Sequence, residues 1–157
     1  MDATQVAVAL GSNLGDRTAH LEYAISRLRP LLQELRCSSF RETQPLGVPA
    51  GQPPYLNAVV VGESLLPAVD LMRSLLEIEQ ERGRQRPYRN APRTLDLDLI
   101  LFGSTILESP DLVLPHPRFR ERRFVLEPLA EIAPGMRDPV SGLTMAGLLS
   151  RLSGLKA

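Results

Sequence analysis

The sequence predicts an α+β fold within one domain that spans residues 1–157, and three observations predict it. The length of 157 residues is typical of one domain, and a hydrophobic fraction of 43% with a charged fraction of 23% is ordinary for a globular protein. Short apolar segments rich in β-branched residues alternate with longer segments in which apolar residues recur every three or four positions. Near the middle of the chain, two predicted strands follow each other without a helix between them, which favours an antiparallel sheet.

The first elements are a strand, a helix and a weaker strand. Residues 4–10 are apolar and predict a strand, which is followed by a turn at 11–16. Asp16 is a suitable N-cap for the helix that begins next. The helix is predicted from the helical spacing of its apolar side chains, which are Leu21, Ala24, Ile25, Leu28, Leu31 and Leu32. A weaker strand is predicted over 35–43.

A loop, a strand and a second helix make up the middle of the chain. Residues 44–54 contain four prolines and two glycines, which excludes regular structure. Residues 55–61 are rich in valine and predict a strand. A second amphipathic helix is predicted over 67–82, since Pro67 suits a first helical turn and Gly83 suits the position after a helix.

The last third of the chain begins with a predicted strand at 94–102, followed by a short return strand at 105–107. Residues 110–117 contain three prolines and are predicted to be irregular. An apolar-polar stretch at 124–132 and a final helix at 144–152 form small C-terminal additions. The order β-α-β-β-α-β matches a ferredoxin-like sandwich, with a mostly antiparallel sheet and helices packed on it.

Composition and charge exclude several classes of protein. The 18 basic residues balance 18 acidic residues, so no global attraction to nucleic acid or to an anionic membrane is expected. No apolar run approaches the ~20 residues of a membrane span, and the first residues lack the features of a signal peptide, so we expect a cytoplasmic protein. With two histidines and only Cys37, an intramolecular disulfide or a Cys/His zinc site is excluded. A divalent cation would need oxygen ligands, which favours Mg²⁺.

The most informative segment is the strand that contains Asp96 and Asp98. Alternation in a strand places both aspartates on one face, with their Cα atoms about 6.5–7 Å apart. The opposite face is apolar and is expected to be core: Leu95, Leu97, Leu99 and Leu101. Two carboxylates this close favour a shared positive partner, and a pair of Mg²⁺ ions that orients a polyphosphate would supply it. The alternative is a solvated strand face with salt-bridge partners across the sheet.

Two basic segments accompany the aspartates. The first contains Arg82, Arg84, Arg86, Arg89 and Arg93, and the second contains His116, Arg118, Arg120, Arg122 and Arg123. Guanidinium groups match phosphate oxygens in pairs, so arginines beside a carboxylate pair are typical of phosphoryl transfer. The only lysine is Lys156, which leaves none for a phosphate-binding P-loop. The alternatives are a solvated basic loop or a nucleic-acid patch.

Two single polar residues allow a structural or a functional interpretation. Asn57 lies inside an apolar strand, where it would either pair with the edge of a heterocycle or satisfy a local backbone group. His116 lies between two prolines, where it would either be structural or hydrogen-bond a phosphate.

Residues 89–100, RNAPRTLDLDLI, resemble the signature of the 6-hydroxymethyl-7,8-dihydropterin pyrophosphokinase family of folate synthesis. Other segments agree in the same order, namely ALGSNL at 9–14, TQPLG at 43–47, YLNAV at 55–59, GRQR at 83–86, PHPR at 115–118 and RFVLEPL at 123–129. The resemblance covers about residues 6–135.

The resemblance implies a transferase that moves the β,γ-pyrophosphoryl group of ATP to the hydroxymethyl oxygen of the pterin and releases AMP, with two Mg²⁺ ions bridging the triphosphate. The implied metal ligands are Asp96 and Asp98. The implied catalytic residues are Arg84, Arg86, Arg93 and His116. Contacts with ATP are implied for Glu79, Arg84, Arg93, Leu99, His116 and Arg122. Contacts with the pterin are implied for Thr43, Leu46, Tyr55, Asn57 and Phe124.

The expected partners are therefore the small molecules ATP and 6-hydroxymethyl-7,8-dihydropterin, and we expect a monomer that binds neither nucleic acid nor a membrane. Two other interpretations stay open. One is a different Mg²⁺-dependent nucleotidyl or phosphoryl transferase that uses the same carboxylate pair. The other is an RNA-binding ferredoxin-like module, which the aromatic content of 4% disfavours because such sheets stack bases on exposed aromatic rings.

Overall fold

The computed structural model of the protein describes residues 3–43, 54–83 and 94–154. The stretches 44–53 and 84–93, which include all of the predicted loop at 44–54 except Pro54 and four of the five arginines of the first basic segment, lie outside these residues. The strands, in chain order, are β1 (Thr4–Ser12), β2 (Leu32–Cys37), β3 (Arg41–Thr43), β4 (Tyr55–Ser64), β5 (Asp96–Phe102), β6 (Leu107–Glu108) and β7 (Val113–Leu114). The helices are α1 (Arg17–Leu28), α2 (Ala68–Glu81), α3 (Arg123–Ile132) and α4 (Met145–Gly154), with a 3₁₀ turn at Phe119–Glu121 before α3.

The main sheet has the strand order β2-β4-β1-β5, and the short strand β3 also pairs with β4. Every pairing within it is antiparallel. This order, with α1 following β1 and α2 following β4, confirms the predicted ferredoxin-like architecture. The strands β6 and β7 form a separate small hairpin. Among the residues that the structure describes, no helix has the length and apolar character that crossing a bilayer requires.

Helix α1 begins where the sequence predicts and ends earlier. Asp16 is its N-cap, because its Oδ1 accepts the N–H of Ala19 at 3.1 Å. The helix stops at Leu28, because Pro30 has no N–H to continue the hydrogen-bond ladder. Leu32 therefore starts β2, and the predicted strand at 35–43 is wrong in its bounds: the chain forms two separate strands there.

Helices cover the sheet on both faces. One face packs against α1 and α2, and its core includes Val8 and Leu75. The other face packs against the C-terminal helices, and its core includes Val59 and Leu126. The C-terminal additions therefore form a full second layer, since the stretch at 124–132 is the amphipathic helix α3.

Strand β5 contains an irregularity that the alternation rule misses. Val8 pairs with Leu99 and Ala7 pairs with Leu101, so Ile100 is an extra residue in the ladder. Leu99 lies in the core below α1 and α2, whereas Ile100 and Leu101 both lie in the core below α3. The prediction that Leu101 shares a face with Leu99 is therefore wrong, and the aspartate-bearing face of β5 turns into core at Ile100.

A buried ion pair holds the C-terminal additions together. The Nε and Nη2 atoms of Arg120 donate to the two carboxylate oxygens of Asp138 at 2.5 and 2.8 Å, and Asp138 is fully buried. Burial acts to raise the pKa of Asp138, but hydrogen bonds from Arg120, Ser141 and the Val140 N–H outweigh it and lower the pKa to about 2. The carboxylate is therefore ionised at neutral pH.

Candidate active site

The predicted site residues on the sheet lie in adjacent rows across three strands. Gly11 of β1 is the register partner of Asn57 on β4 and of Asp96 on β5. Ala9, two residues earlier on β1, pairs in the same way with Val59 and Asp98. Because register partners point to the same side of a sheet, Asn57, Asp96 and Asp98 all face the side that α3 covers.

Gly11 has no side chain, so the sheet surface between Asn57 and Asp96 is open. A Cβ atom at this position would lie 3.2 Å from Asn57 Oδ1 and 3.6 Å from Tyr55 Cδ1. The sequence interpretation ended the strand before Gly11 and so missed it as a site residue, but β1 continues to Ser12. The signal was present, because glycine inside a strand often marks a place where another group approaches the backbone closely.

Three of the predicted pterin-binding residues lie side by side. The Nδ2 atom of Asn57 donates to Thr43 Oγ1 at 2.6 Å, and Asn57 is 6% exposed. Thr43 is in turn the register partner of Tyr55 on β4. The Asn57 side chain thus has a local partner for its NH₂ group, and its carbonyl oxygen faces the space above Gly11. Leu46 lies outside the described residues.

Phe124 lies in the first turn of α3 and is 36% exposed, which is unusual for a ring of this size. The guanidinium of Arg122, immediately before the helix, lies 5.6 Å from the centroid of the ring. An exposed aromatic face beside a cation can stack on a flat heterocycle.

Glu79 of α2 fixes the segment of β5 between the two aspartates. Its Oε2 accepts the backbone N–H of Leu97 at 2.7 Å, and the side chain is 2% exposed. Among the described strands, β5 is the last in its sheet, so one side of its backbone has no strand neighbour. Glu79 occupies that side and holds Asp96 and Asp98 at a fixed position relative to α2.

His116 lies along the same edge. Its backbone N–H donates to the Ile100 carbonyl at 2.9 Å, which aligns the 110–117 segment with β5. Its Nδ1 accepts the N–H of Arg118 at 3.3 Å, which favours the tautomer with the ring proton on Nε2. Burial lowers the pKa of His116, the positive charge of Arg122 lowers it further, and Asp96 opposes both effects. At neutral pH His116 is therefore an uncharged donor close to Asp96 and Arg122.

The described members of the two basic segments serve different purposes. Arg82 donates to His20 Nδ1 at 3.0 Å and covers the ring of Tyr23, and Arg120 forms the buried pair with Asp138. Of the described basic residues predicted to contact phosphate, His116 lies near Asp96, and Arg122 lies near His116. Arg84, Arg86 and Arg93 lie outside the described residues, so their predicted roles remain predictions.

A cleft of about 440 Å³ opens beside the edge of β5, between α2 and the 110–117 segment. It is lined by five predicted site residues, which are Glu79, Asp96, Asp98, Leu99 and His116. Its other lining residues are apolar apart from Asp111, and they include Leu75 of α2 and Leu112. The volume suits a small-molecule ligand, and the cleft combines charged side chains with apolar ones.

The oxygen ligands present suit magnesium better than zinc. No cluster of three or more His, Cys, Asp or Glu side chains that could hold a metal occurs within 3–43, 54–83 and 94–154. Mg²⁺ does not require such a cluster, because it keeps several waters and binds through one or two carboxylates together with substrate phosphates. Asp96 and Asp98, on one face beside a cleft, fit that requirement.

Comparison with known proteins decides the family. A family model described as 7,8-dihydro-6-hydroxymethylpterin-pyrophosphokinase (HPPK) matches residues 7–134. The chain belongs to this family. The HPPK family range includes every predicted site residue, from Thr43 to Phe124.

Curated relatives agree with the HPPK assignment, and a solved structure agrees with the fold. A Synechocystis protein named 2-amino-4-hydroxy-6-hydroxymethyldihydropteridine pyrophosphokinase is 43% identical over 147 residues, which is 92% of this chain and 74% of the relative. A Pseudomonas aeruginosa protein of the same name is 42% identical over 137 residues, which is 86% of this chain and 84% of the relative. The HPPK-DHPS of Plasmodium falciparum matches in structure with a TM-score of 0.75 at 12% identity, over 95% of this chain and 45% of that chain. At this identity the structural match supports the fold alone, and this chain spans less than half of that longer protein.

Proposed function

We propose that this chain transfers the β,γ-pyrophosphoryl group of ATP to the hydroxymethyl oxygen of 6-hydroxymethyl-7,8-dihydropterin and releases AMP, in folate biosynthesis. The observation that carries the proposal is the row Asn57–Gly11–Asp96 on one face of the sheet. Gly11, which has no side chain, lies between the Asn57 amide, which can bind a heterocycle, and the carboxylate pair of Asp96 and Asp98. A substrate with a flat ring and a short hydroxymethyl arm fits between them.

The pterin is bound at the β4 end of this row. The carbonyl oxygen of Asn57 accepts from the ring edge, and its position is fixed because its NH₂ group donates to Thr43. The ring lies between Tyr55 on the strand and the exposed face of Phe124, since stacked aromatic contacts suit a flat heterocycle. The predicted role of Leu46 belongs to this slot as well.

ATP is bound along the cleft beside β5. The apolar lining residues, which include Leu99, contact the nucleoside, and the triphosphate lies beside the aspartates. Nε2 of neutral His116 donates to a phosphate oxygen, and Arg122 neutralises charge nearby, as do Arg84, Arg86 and Arg93. Asp96 and Asp98 would hold Mg²⁺, which when bound neutralises and orients the triphosphate. Glu79 holds the strand that bears them.

The reaction exchanges one P–O bond for another. The hydroxymethyl oxygen forms a bond to the β-phosphorus, and the bond from that phosphorus to the α,β-bridging oxygen breaks. AMP leaves with the bridging oxygen, and the hydroxyl proton passes to water. The residues act by positioning and charge neutralisation, which dominate phosphoryl transfer.

The nucleotide product tests the proposal. The chain is incubated with ATP, MgCl₂ and 6-hydroxymethyl-7,8-dihydropterin, and the products are separated by chromatography. AMP and the pterin diphosphate are expected in equal amounts. ADP or inorganic phosphate as the main product would reject the assignment and favour a different Mg²⁺-dependent transferase. The expected monomeric state and cytoplasmic location remain predictions.

A further inference from the structure

Strand β3 is too short to hold itself in place by backbone pairing alone. It has three residues, Arg41–Thr43, and in the described part of the chain its only strand neighbour is β4. A three-residue ladder contributes few hydrogen bonds, and each is worth only about 1 kcal/mol net. Thr43, which accepts from Asn57, therefore depends on side chains outside the strand for its position.

One set of contacts comes from α1. Nη2 of Arg17 donates to Glu42 Oε1 at 2.6 Å, and Nη1 of the same guanidinium donates to the Pro54 carbonyl at 2.8 Å. Glu42 immediately precedes Thr43, and Pro54 immediately precedes Tyr55, the register partner of Thr43. The guanidinium is planar and rigid, so it fixes the spacing between the end of β3 and the start of β4.

The second set of contacts comes from α3, on the opposite face. Glu131 accepts the Ser39 N–H at 3.0 Å, the Ser39 hydroxyl at 2.8 Å and Nη2 of Arg41 at 2.8 Å. Arg41 is the register partner of Asn57, whereas Glu42 pairs with Leu56, which faces the α1 and α2 core. The two sets of contacts therefore grip β3 from both sides of the sheet.

We propose that Arg17 and Glu131 are positioning residues that clamp β3 from opposite faces and thereby set the affinity for the pterin. Neither side chain lines the cleft beside β5. Glu131 also ties β3 to the helix that carries Phe124, so the clamp joins two walls of the pterin slot. The inference rests on the proposed function, because that function assigns the pterin to Thr43, Asn57 and Phe124.

Loss of the clamp has a specific kinetic signature. Arg17→Met keeps the aliphatic stem and removes both donors, and Glu131→Gln keeps the shape and removes the charge. Each is expected to raise the KM for the pterin about tenfold, which corresponds to ~1.4 kcal/mol. The KM for ATP and kcat should stay near the wild-type values, because the cleft and the aspartates are untouched. Arg17→Lys can satisfy one of the two acceptors, so its pterin KM should fall between those of the wild type and Arg17→Met.

The experiment measures AMP release by wild type and variants while each substrate is varied in turn, with the denaturation midpoint recorded for every variant. Arg137→Met is the matched control, since Nη1 of Arg137 also donates to a carbonyl, that of Gly142 at 2.7 Å, in a C-terminal turn. The control should leave both KM values unchanged.

Two results would overturn the clamp while leaving the proposed function intact. The first is an unchanged pterin KM in folded Arg17→Met and Glu131→Gln. The second is a lower kcat together with an equal rise in the KM values for both substrates, which indicates general destabilisation. A wild-type chain that releases no AMP with the pterin overturns the proposed function, and the clamp with it.

Discussion

Gly11→Ala tests whether the open sheet surface at Gly11, between Asn57 and Asp96, is needed for catalysis. The added Cβ would lie 3.2 Å from Asn57 Oδ1, a few tenths of an ångström closer than such contacts normally come, and 3.6 Å from Tyr55. Asn57 would have to move, and its 2.6 Å hydrogen bond to Thr43 would lengthen. In the proposed function, the methyl group would also occupy the space across which the hydroxymethyl arm of the pterin extends toward Asp96.

The fold should tolerate this change. Gly11 lies in regular strand β1, where glycine is less favourable than alanine by roughly 0.5–1 kcal/mol. A weakened Asn57–Thr43 hydrogen bond costs about 0.5–1.5 kcal/mol net. These effects oppose each other, so the free energy of unfolding should stay within ~1 kcal/mol of the wild type.

Gly11→Ala should, by contrast, reduce catalytic activity strongly. A displacement of about 1 Å between reacting groups can cost ~100-fold in rate, or ~2.7 kcal/mol. We expect kcat/KM for the pterin to fall by about that factor while the KM for ATP stays unchanged. The assay is AMP release at varied pterin and saturating ATP, with thermal denaturation as the check on folding.

Gly135→Ala is the matched control, because a Cβ at Gly135 meets no atom within 4 Å. It should leave both activity and stability near the wild-type values. If folded Gly11→Ala retains the wild-type kcat/KM for the pterin, the substrate does not cross Gly11, and the proposed placement of the two halves of the site is wrong.

Three further changes test other parts of the molecule. Asp98→Asn should raise the activation free energy of the transfer step by several kcal/mol and so lower kcat. The circular dichroism spectrum should not change, since the side chain lies at the cleft. Normal turnover would contradict the metal assignment. Glu79→Ala should destabilise the fold by about 1–3 kcal/mol in urea unfolding, because the Leu97 N–H loses its partner, and an unchanged midpoint would contradict that role. Asp138 has a pKa of about 2 against an ordinary 3.8, so its contribution of about 2 kcal/mol is complete above pH 3.8 and is lost as the pH falls through 2. Asp138→Asn should flatten the acid limb of the stability curve, and an unaltered limb would show that Arg120 does not lower this pKa.

The parts of the fold that depend on local pattern were predictable from the sequence. The alternation of aspartates and leucines placed Asp96 and Asp98 on one face of β5, and Asp16 marked the start of α1. The sequence predictions were wrong where tertiary packing overrides a local pattern. Ile100 enters the ladder as an extra residue and reverses the face of Leu101, which alternation alone cannot foresee.

Contacts between residues distant in the sequence were beyond prediction for a different reason. Arg17 resembles any helix-surface arginine until β3 and β4 bring Glu42 and Pro54 to it. Glu131 likewise resembles a solvated residue near a helix end until Ser39 is placed beside it. Periodicity identifies which side of a helix faces inward, but it does not reveal which distant strand that side meets.

The site lies where helix α3 no longer packs over strands β4 and β5. On the α3 face of β4, Val59 is fully buried, Asn57 retains 6% exposure and Tyr55 is half-buried. Strand β5 changes in the same direction, from buried Ile100 to partly exposed Asp96. The polar residues begin where this cover weakens, so the same strands supply core at one end and chemistry at the other. A polar side chain inside an apolar strand therefore marks, in this fold, the point at which a helix stops covering the sheet and a substrate can take its place.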